Sequence, residues 1–201
     1  MVIKQLMAYR KERLMDLWKD TVLLSRIKAV RLLMLDVDGV LTDGKIIIND
    51  QGIESKHFDV RDGHGIKLLH PCGIGVALIT GRRSSVVEHR ANDLGIEEVY
   101  QGVWNKVEVF EKILLKMNLR PEQTAFVGDD IVDIPVMRRV GLAVAVCDAD
   151  EETKKIAHYV TSRRGGRGAV REVCELILKV QDHWKDVATK YQMDEFVPAG
   201  R

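Results

Sequence analysis

Apolar residues run unbroken from Leu32 to Leu35, and the run opens directly into Asp36-Val37-Asp38-Gly39-Val40-Leu41-Thr42. A short apolar run with no polar interruption predicts a strand buried on both faces. Comparable runs span Ile74 to Thr80, Thr124 to Val127 and Leu142 to Val146, with shorter ones at Glu98–Tyr100 and His158–Val160. Between them lie segments of helical period: about Arg83 to Leu94, closed by Gly95; about Trp104 to Met117; Ile131 to Val140, stopped by Gly141; and Ala169 to about Lys185. Strands alternating with helices predict an α/β fold, a doubly wound, Rossmann-like parallel sheet covered on both faces. One interruption stands out. Lys45–Asn49 and Glu54–Asp59 flank Asp50-Gln51-Gly52, the pattern of a β-hairpin insertion.

Two further segments flank this alternation. Leu6, Leu14, Trp18 and Val22 recur on one face, so residues from about Ile3 to Ile27 are expected to form an amino-terminal helix. The main domain is then 28–185, and 186–201, which lack a clear pattern, are expected to form a tail. The 201 residues, 46% hydrophobic, suffice for one domain with a sizeable aliphatic core. Lys+Arg at 31 against Asp+Glu at 30 leaves a net charge of +1, which gives no reason to expect nucleic acid or an anionic membrane as partner. Cys72, Cys147 and Cys174 are widely spaced within apolar segments and read as reduced core residues of a cytoplasmic protein. The mixed charges from Lys4 to Asp20 argue against a secretory signal.

The chemistry gathers at strand ends. Asp36 and Asp38 are one strand period apart, so while the chain stays extended their carboxylates share a side, and Gly39 permits a sharp turn beside whatever they contact. Such a pair suggests one nucleophile or metal ligand and one proton carrier. Thr80-Gly81-Arg82 offers a hydroxyl, an amide and a guanidinium before a helix, which is either an anion site or a helix cap. Gly128-Asp129-Asp130-Ile131-Val132-Asp133 crowds three acids at one junction. Asp130 could cap the helix, but three acids exceed what capping requires, and oxygen-only ligation of this kind suits Mg²⁺. Lys106, near a helix start, is a cation where the helix dipole disfavours one.

In their order and spacing these four sites resemble the haloacid dehalogenase superfamily. The stretches LDVDGVLTDG (Leu35–Gly44), FDVRDGHGI (Phe58–Ile66), ITGRR (Ile79–Arg83) and GGRGAVRE (Gly165–Glu172) resemble, more closely, its phosphatases acting on 3-deoxy-D-manno-octulosonate 8-phosphate. That resemblance implies a lipopolysaccharide-precursor phosphatase working through an aspartyl-phosphate. Asp36 would be the nucleophile and Asp38 the proton shuttle, an acid that a dehalogenase, having no alkoxide to protonate, lacks. Mg²⁺ would be held by Asp36, the Asp38 carbonyl and Asp129, with Asp133 orienting a ligand. Lys106, Thr80 and the Gly39 and Gly81 amides would hold phosphoryl oxygens.

The intervals Gly44–Thr80 and Lys106–Gly128 are too short for a cap domain, so the site should be open unless neighbours enclose it. The related enzymes are tetramers covered by neighbouring hairpins and tails, and a homotetramer is expected here. Arg61 and Arg82 are candidates for the sugar acid's carboxylate. A phosphatase for a nine-carbon ketodeoxy acid phosphate would share every catalytic residue; a non-enzymatic phospho-acceptor domain would lack the Asp38 partner.

Overall fold

The computed structural model describes residues Lys19–Met193. Six parallel strands form one sheet: β1 (Leu32–Leu35), β4 (Gly75–Thr80), β5 (Glu98–Gln101), β6 (Thr124–Gly128), β7 (Leu142–Ala145) and β8 (Tyr159–Val160), in the order β5-β4-β1-β6-β7-β8. All four residues of β1 are fully buried, each leucine contributing about 1.5–3 kcal/mol of burial. Register then decides where the chemistry goes. Leu35 pairs with Leu78 on one side and Val127 on the other, so Asp36, Thr80 and Asp129 reach one carboxyl edge of the sheet. That edge is where open α/β sheets bind ligands.

β2 (Ile47–Ile48) and β3 (Glu54–Ser55) form the expected hairpin as a separate two-stranded sheet. Within the alternating region two helices escaped the periodicity reading: α2 (Val60–Leu69) and, later in the chain, Glu151–Ile156. Gly63 and Gly65 dilute the helical signal of α2. The packing explains Gly65, because a Cβ there would sit 3.1 Å from the Arg171 Cα of the carboxyl-terminal helix Ala169–Val180. α2 also supplies that helix with its cap. Gly168 has no side chain to offer, and Asp62 accepts from the N–H groups of Gly168 (3.1 Å) and Arg171 (2.7 Å). Burial raises the Asp62 carboxyl to about 6 in spite of these bonds.

The ends depart from expectation. Helix α1 covers Thr21–Ala29 and starts afresh at Asp20, whose side chain accepts from the Leu23 N–H at 2.9 Å. Leu23 and Ile27 are buried while Val22, expected on the packed face, is exposed. Leu6, Leu14 and Trp18 lie outside the described residues. The last predicted helix stops at Val180, where Asp182 takes φ 64°, and a further helix covers Trp184–Lys190 with Val187 and Ala188 buried. Part of the expected tail is therefore packed structure. The predicted helix over Ile131–Val140 divides into a 3₁₀ turn at Ile131–Asp133 and a short helix at Ile134–Met137 that holds Pro135. No cap domain interrupts the described chain: Gly44–Thr80 holds the hairpin and α2, and Lys106–Gly128 holds one helix and one turn.

Candidate active site

The chain leaves the extended conformation immediately after β1. The N–H groups of Val40, Leu41 and Thr42 all turn back to the Val37 carbonyl, so Asp36 and Asp38 engage different partners. Gly39 takes φ +101°, and a Cβ there would lie 1.9 Å from Asp129 Oδ2. Glycine is required because a carboxylate occupies the space. The turn is backed by the GGRG stretch: Gly166 N–H donates to the Val40 carbonyl at 2.8 Å, and a Cβ on Gly165 would meet the Gly39 carbonyl oxygen at 1.6 Å. That motif thus has a structural role beneath the catalytic turn.

Inward of the turn, Lys106 is the first residue of the helix Lys106–Met117, whose N-cap is Asn105. Its buried Nζ donates to Asp36 Oδ1 at 2.7 Å and to Asp133 Oδ1 at 2.6 Å. Asp133 spends its other oxygen on the Asp129 N–H at 3.0 Å, and Asp130 caps the turn through the Ile131 N–H at 2.7 Å. Ligand atoms of Asp36, Asp129 and Asp133 lie within 4.8 Å of one another. One ammonium faces all three. Burial alone would depress Lys106, but the Asp36 and Asp133 carboxylates hold it above its usual range. Burial raises Asp36 to about 6, against the pull of Lys106 and with added repulsion from Asp133. Asp129 rises further, to about 8, through burial and then repulsion from Asp36, Asp133 and Asp130. Asp129 Oδ1 is buried without a hydrogen-bond partner. A buried orphan oxygen among crowded carboxylates fits a hard divalent cation, and all-oxygen ligation of this sort fits Mg²⁺.

Outward of the turn stands a second cluster. Asp38 Oδ1 pairs closely with the Nζ of Lys56, which also lies 3.4 Å from Glu54 Oε1. Glu54 accepts from Arg82 Nη2 at 3.0 Å, and Arg82 Nε stands 3.8 Å from Asp38 Oδ2. Thr80 is buried at the end of β4, its hydroxyl oxygen facing the Arg82 N–H at 3.4 Å; it does not cap the next helix, which begins after Ser84. Gly81 is exposed beside it, and the Gly39 N–H faces the Thr42 hydroxyl at 3.4 Å. Arg61 is not brought to either cluster. Its guanidinium pairs with Asp59 and lines a neighbouring pocket with Asp43, His57, Phe58 and Arg167. Lys56 and Glu54 went unnoticed in the sequence, although alternation along the hairpin strand places residues 54 and 56 on one face.

Comparison with known proteins gives the family. Residues 91–172 match the family model of haloacid dehalogenase-like hydrolases. The 3-deoxy-D-manno-octulosonate 8-phosphate phosphatase of Yersinia pestis is 52% identical over 159 residues, covering 79% of this chain and 85% of the relative. The chain belongs to this phosphatase family. The crystal structure of the Yersinia phosphatase superposes with a TM-score of 0.81 at 50% identity, covering 82% of this chain and 89% of that one. The family's enzyme from Moraxella catarrhalis, solved with magnesium, phosphate and a KDO molecule, superposes with a TM-score of 0.82 at 39% identity, covering 84% and 97%. The chain is thus a hydrolase of phosphate monoesters built on the α/β fold of that family. Among its described residues no helix is long and apolar enough to cross a membrane.

Proposed function

We propose that this protein hydrolyses 3-deoxy-D-manno-octulosonate 8-phosphate to the free sugar acid and phosphate, in lipopolysaccharide precursor synthesis, using Mg²⁺. The observation that carries the proposal is the division of labour around one turn. A buried nucleophile candidate, Asp36, is held by Lys106, and a second acid, Asp38, faces the other way. Asp36, Asp129 and the Asp38 carbonyl would hold the ion, with Asp133 orienting Asp129 through its N–H. When bound, Mg²⁺ supplies the positive charge that offsets these carboxylates and attracts phosphoryl oxygens.

The residues then act in two halves. A carboxylate oxygen of Asp36 attacks phosphorus as the bond to the sugar oxygen breaks, and Asp38 gives its proton to that departing oxygen. In the second half Asp38 takes a proton from water. The water oxygen bonds to phosphorus and the bond to Asp36 breaks, which releases phosphate and restores both acids. Lys106 and the Thr80 hydroxyl hold phosphoryl oxygens as charge redistributes, and the Gly39 and Gly81 amides join them once substrate is bound. Arg82, at the rim beside Glu54 and Asp38, would meet the sugar acid's carboxylate; Arg61, which is not brought to the site, would do so only from a neighbouring protomer.

Enclosure of the open site is assigned to a homotetramer. Ile46, Ile47, Ile48 and Ile53 stand exposed on the hairpin, and exposed apolar residues concentrated on one small element support burial against another copy. Three unpaired thiols, Cys72, Cys147 and Cys174, support a cytoplasmic location. The deciding experiment is phosphate release with Mg²⁺ across eight- and nine-carbon ketodeoxy acid phosphates, with mass measured by light scattering. Preference for the eight-carbon ester by a tetramer is expected. Preference for a nine-carbon ester would replace the substrate, and a fully active monomer would remove the assembly.

A further inference from the structure

The geometry points to Lys56 as a positioning residue for the proton-transfer half of the reaction, acting through Asp38. The Lys56 side chain is 1% exposed although it directly follows the short hairpin strand Glu54–Ser55, whose partner strand Ile47–Ile48 faces solvent. A buried ammonium is costly unless paired, and Lys56 is paired twice, with Asp38 Oδ1 and Glu54 Oε1. Glu54 is tied in turn to Arg82. The hairpin therefore delivers a fixed cation to one particular oxygen of Asp38.

The consequence lies on the other oxygen. Asp38 Oδ2 is buried and accepts no hydrogen bond; Arg82 Nε stands 3.8 Å away, beyond hydrogen-bonding distance. With Oδ1 held by Lys56, the carboxyl cannot rotate freely, and Oδ2 is the oxygen left to carry the proton. In the first half Oδ2–H gives its proton to the sugar oxygen as the phosphorus–oxygen bond breaks; in the second Oδ2 receives one from the attacking water. Lys56 forms and breaks no covalent bond. It determines which oxygen faces the leaving group, so the hairpin serves its own protomer's chemistry, whatever it does for a neighbour.

This role rests on the phosphatase reading above, and leaving-group dependence separates the two. An alkyl phosphate such as the octulosonate 8-phosphate needs a proton on its departing oxygen, whereas p-nitrophenyl phosphate releases p-nitrophenolate, a stable anion. Positioned proton transfer is worth about 10²–10⁴-fold, so Lys56→Met should lower kcat/KM for the alkyl ester by about 10-fold or more and for the aryl ester by less than about 3-fold. Lys56→Arg should recover most of the loss. In an Asp38→Asn background, Lys56→Met should cost nothing further on the alkyl ester. Equal losses on both esters, or full additivity with Asp38→Asn, would overturn the role of Lys56 and leave the phosphatase intact. Wild-type turnover of p-nitrophenyl phosphate and a simple alkyl phosphate, but not of the octulosonate, would sink the substrate assignment while the Lys56 comparison proceeds on those two esters. Wild-type failure on every ester would remove both.

Discussion

Two clusters of charge share the turn after β1 and differ in almost every physical respect. The inner one, Asp36, Lys106, Asp129 and Asp133, comes from the ends of sheet strands and the helices that follow them, and Lys106 and Asp133 are almost wholly buried. It holds more negative than positive charge, which is why Asp36 and Asp129 rise to about 6 and about 8. The outer one, Asp38, Lys56, Glu54 and Arg82, comes from the turn, the hairpin and a loop. It balances two acids with two bases and reaches solvent through Arg82. An imbalanced buried cluster is built to receive a cation and a phosphate. A balanced one at the rim is built to hold side chains in place and to be exchanged for substrate groups.

Substitutions should separate the two in order of severity. Asp36→Asn removes the nucleophile and should lower kcat by about 10⁴-fold or more, while circular dichroism and melting show a folded protein; substantial remaining turnover would exclude the covalent route. Lys106→Met should lower activity by about 10²–10³-fold. It should also destabilise the metal-free protein by about 3 kcal/mol in urea unfolding above pH 6, because it strands Asp36 and Asp133. A silent substitution there would show that the inner cluster does not need its cation.

Asp129→Asn should divide function from stability. The folded-state pKa of Asp129, about 8, lies above that of an ordinary aspartate. The folded protein therefore keeps a proton that the unfolded chain gives up. Stability from this group is full below about pH 4 and is lost as pH climbs through 8. In metal-free protein the asparagine variant should gain stability relative to wild type, increasingly from pH 5 to pH 8, reaching about 1–3 kcal/mol. Mg²⁺ should raise the melting temperature of the wild type and leave that of the variant unchanged. Melting curves at both pH values with and without Mg²⁺ check this, and a metal response that survives would remove Asp129 from the ligands. At the rim, Arg82→Met should change stability by less than about 1 kcal/mol and raise KM for the sugar acid a few-fold with kcat nearly unchanged. A kcat effect as large as that of Lys106→Met would erase the distinction between the clusters.

The parallel sheet is legible in the chain alone, and so are the places of Asp36, Asp38, Thr80, Lys106 and Asp129 at strand ends and a helix start. Those signals are local: an apolar run and the residues that end it are contiguous in the chain. The helix at Val60–Leu69 stayed hidden because its glycines serve close contacts with residues further along the chain, Gly63 with Arg90 and Gly65 with Arg171. The buried face of the first helix stayed hidden because it is chosen by the distant elements it packs on, the helix Ala169–Val180 and the turn Pro121–Gln123. Lys56 and Glu54 stayed hidden because a lysine in a hairpin looks like any solvated surface residue until the hairpin folds over the turn. Only the tertiary structure divided the two aspartates, sending Asp36 inward to Lys106 and Asp38 outward to Lys56. The physical reason is that spacing along a strand says which side a carboxylate leaves from, whereas its partners are set by elements that arrive from elsewhere in the chain.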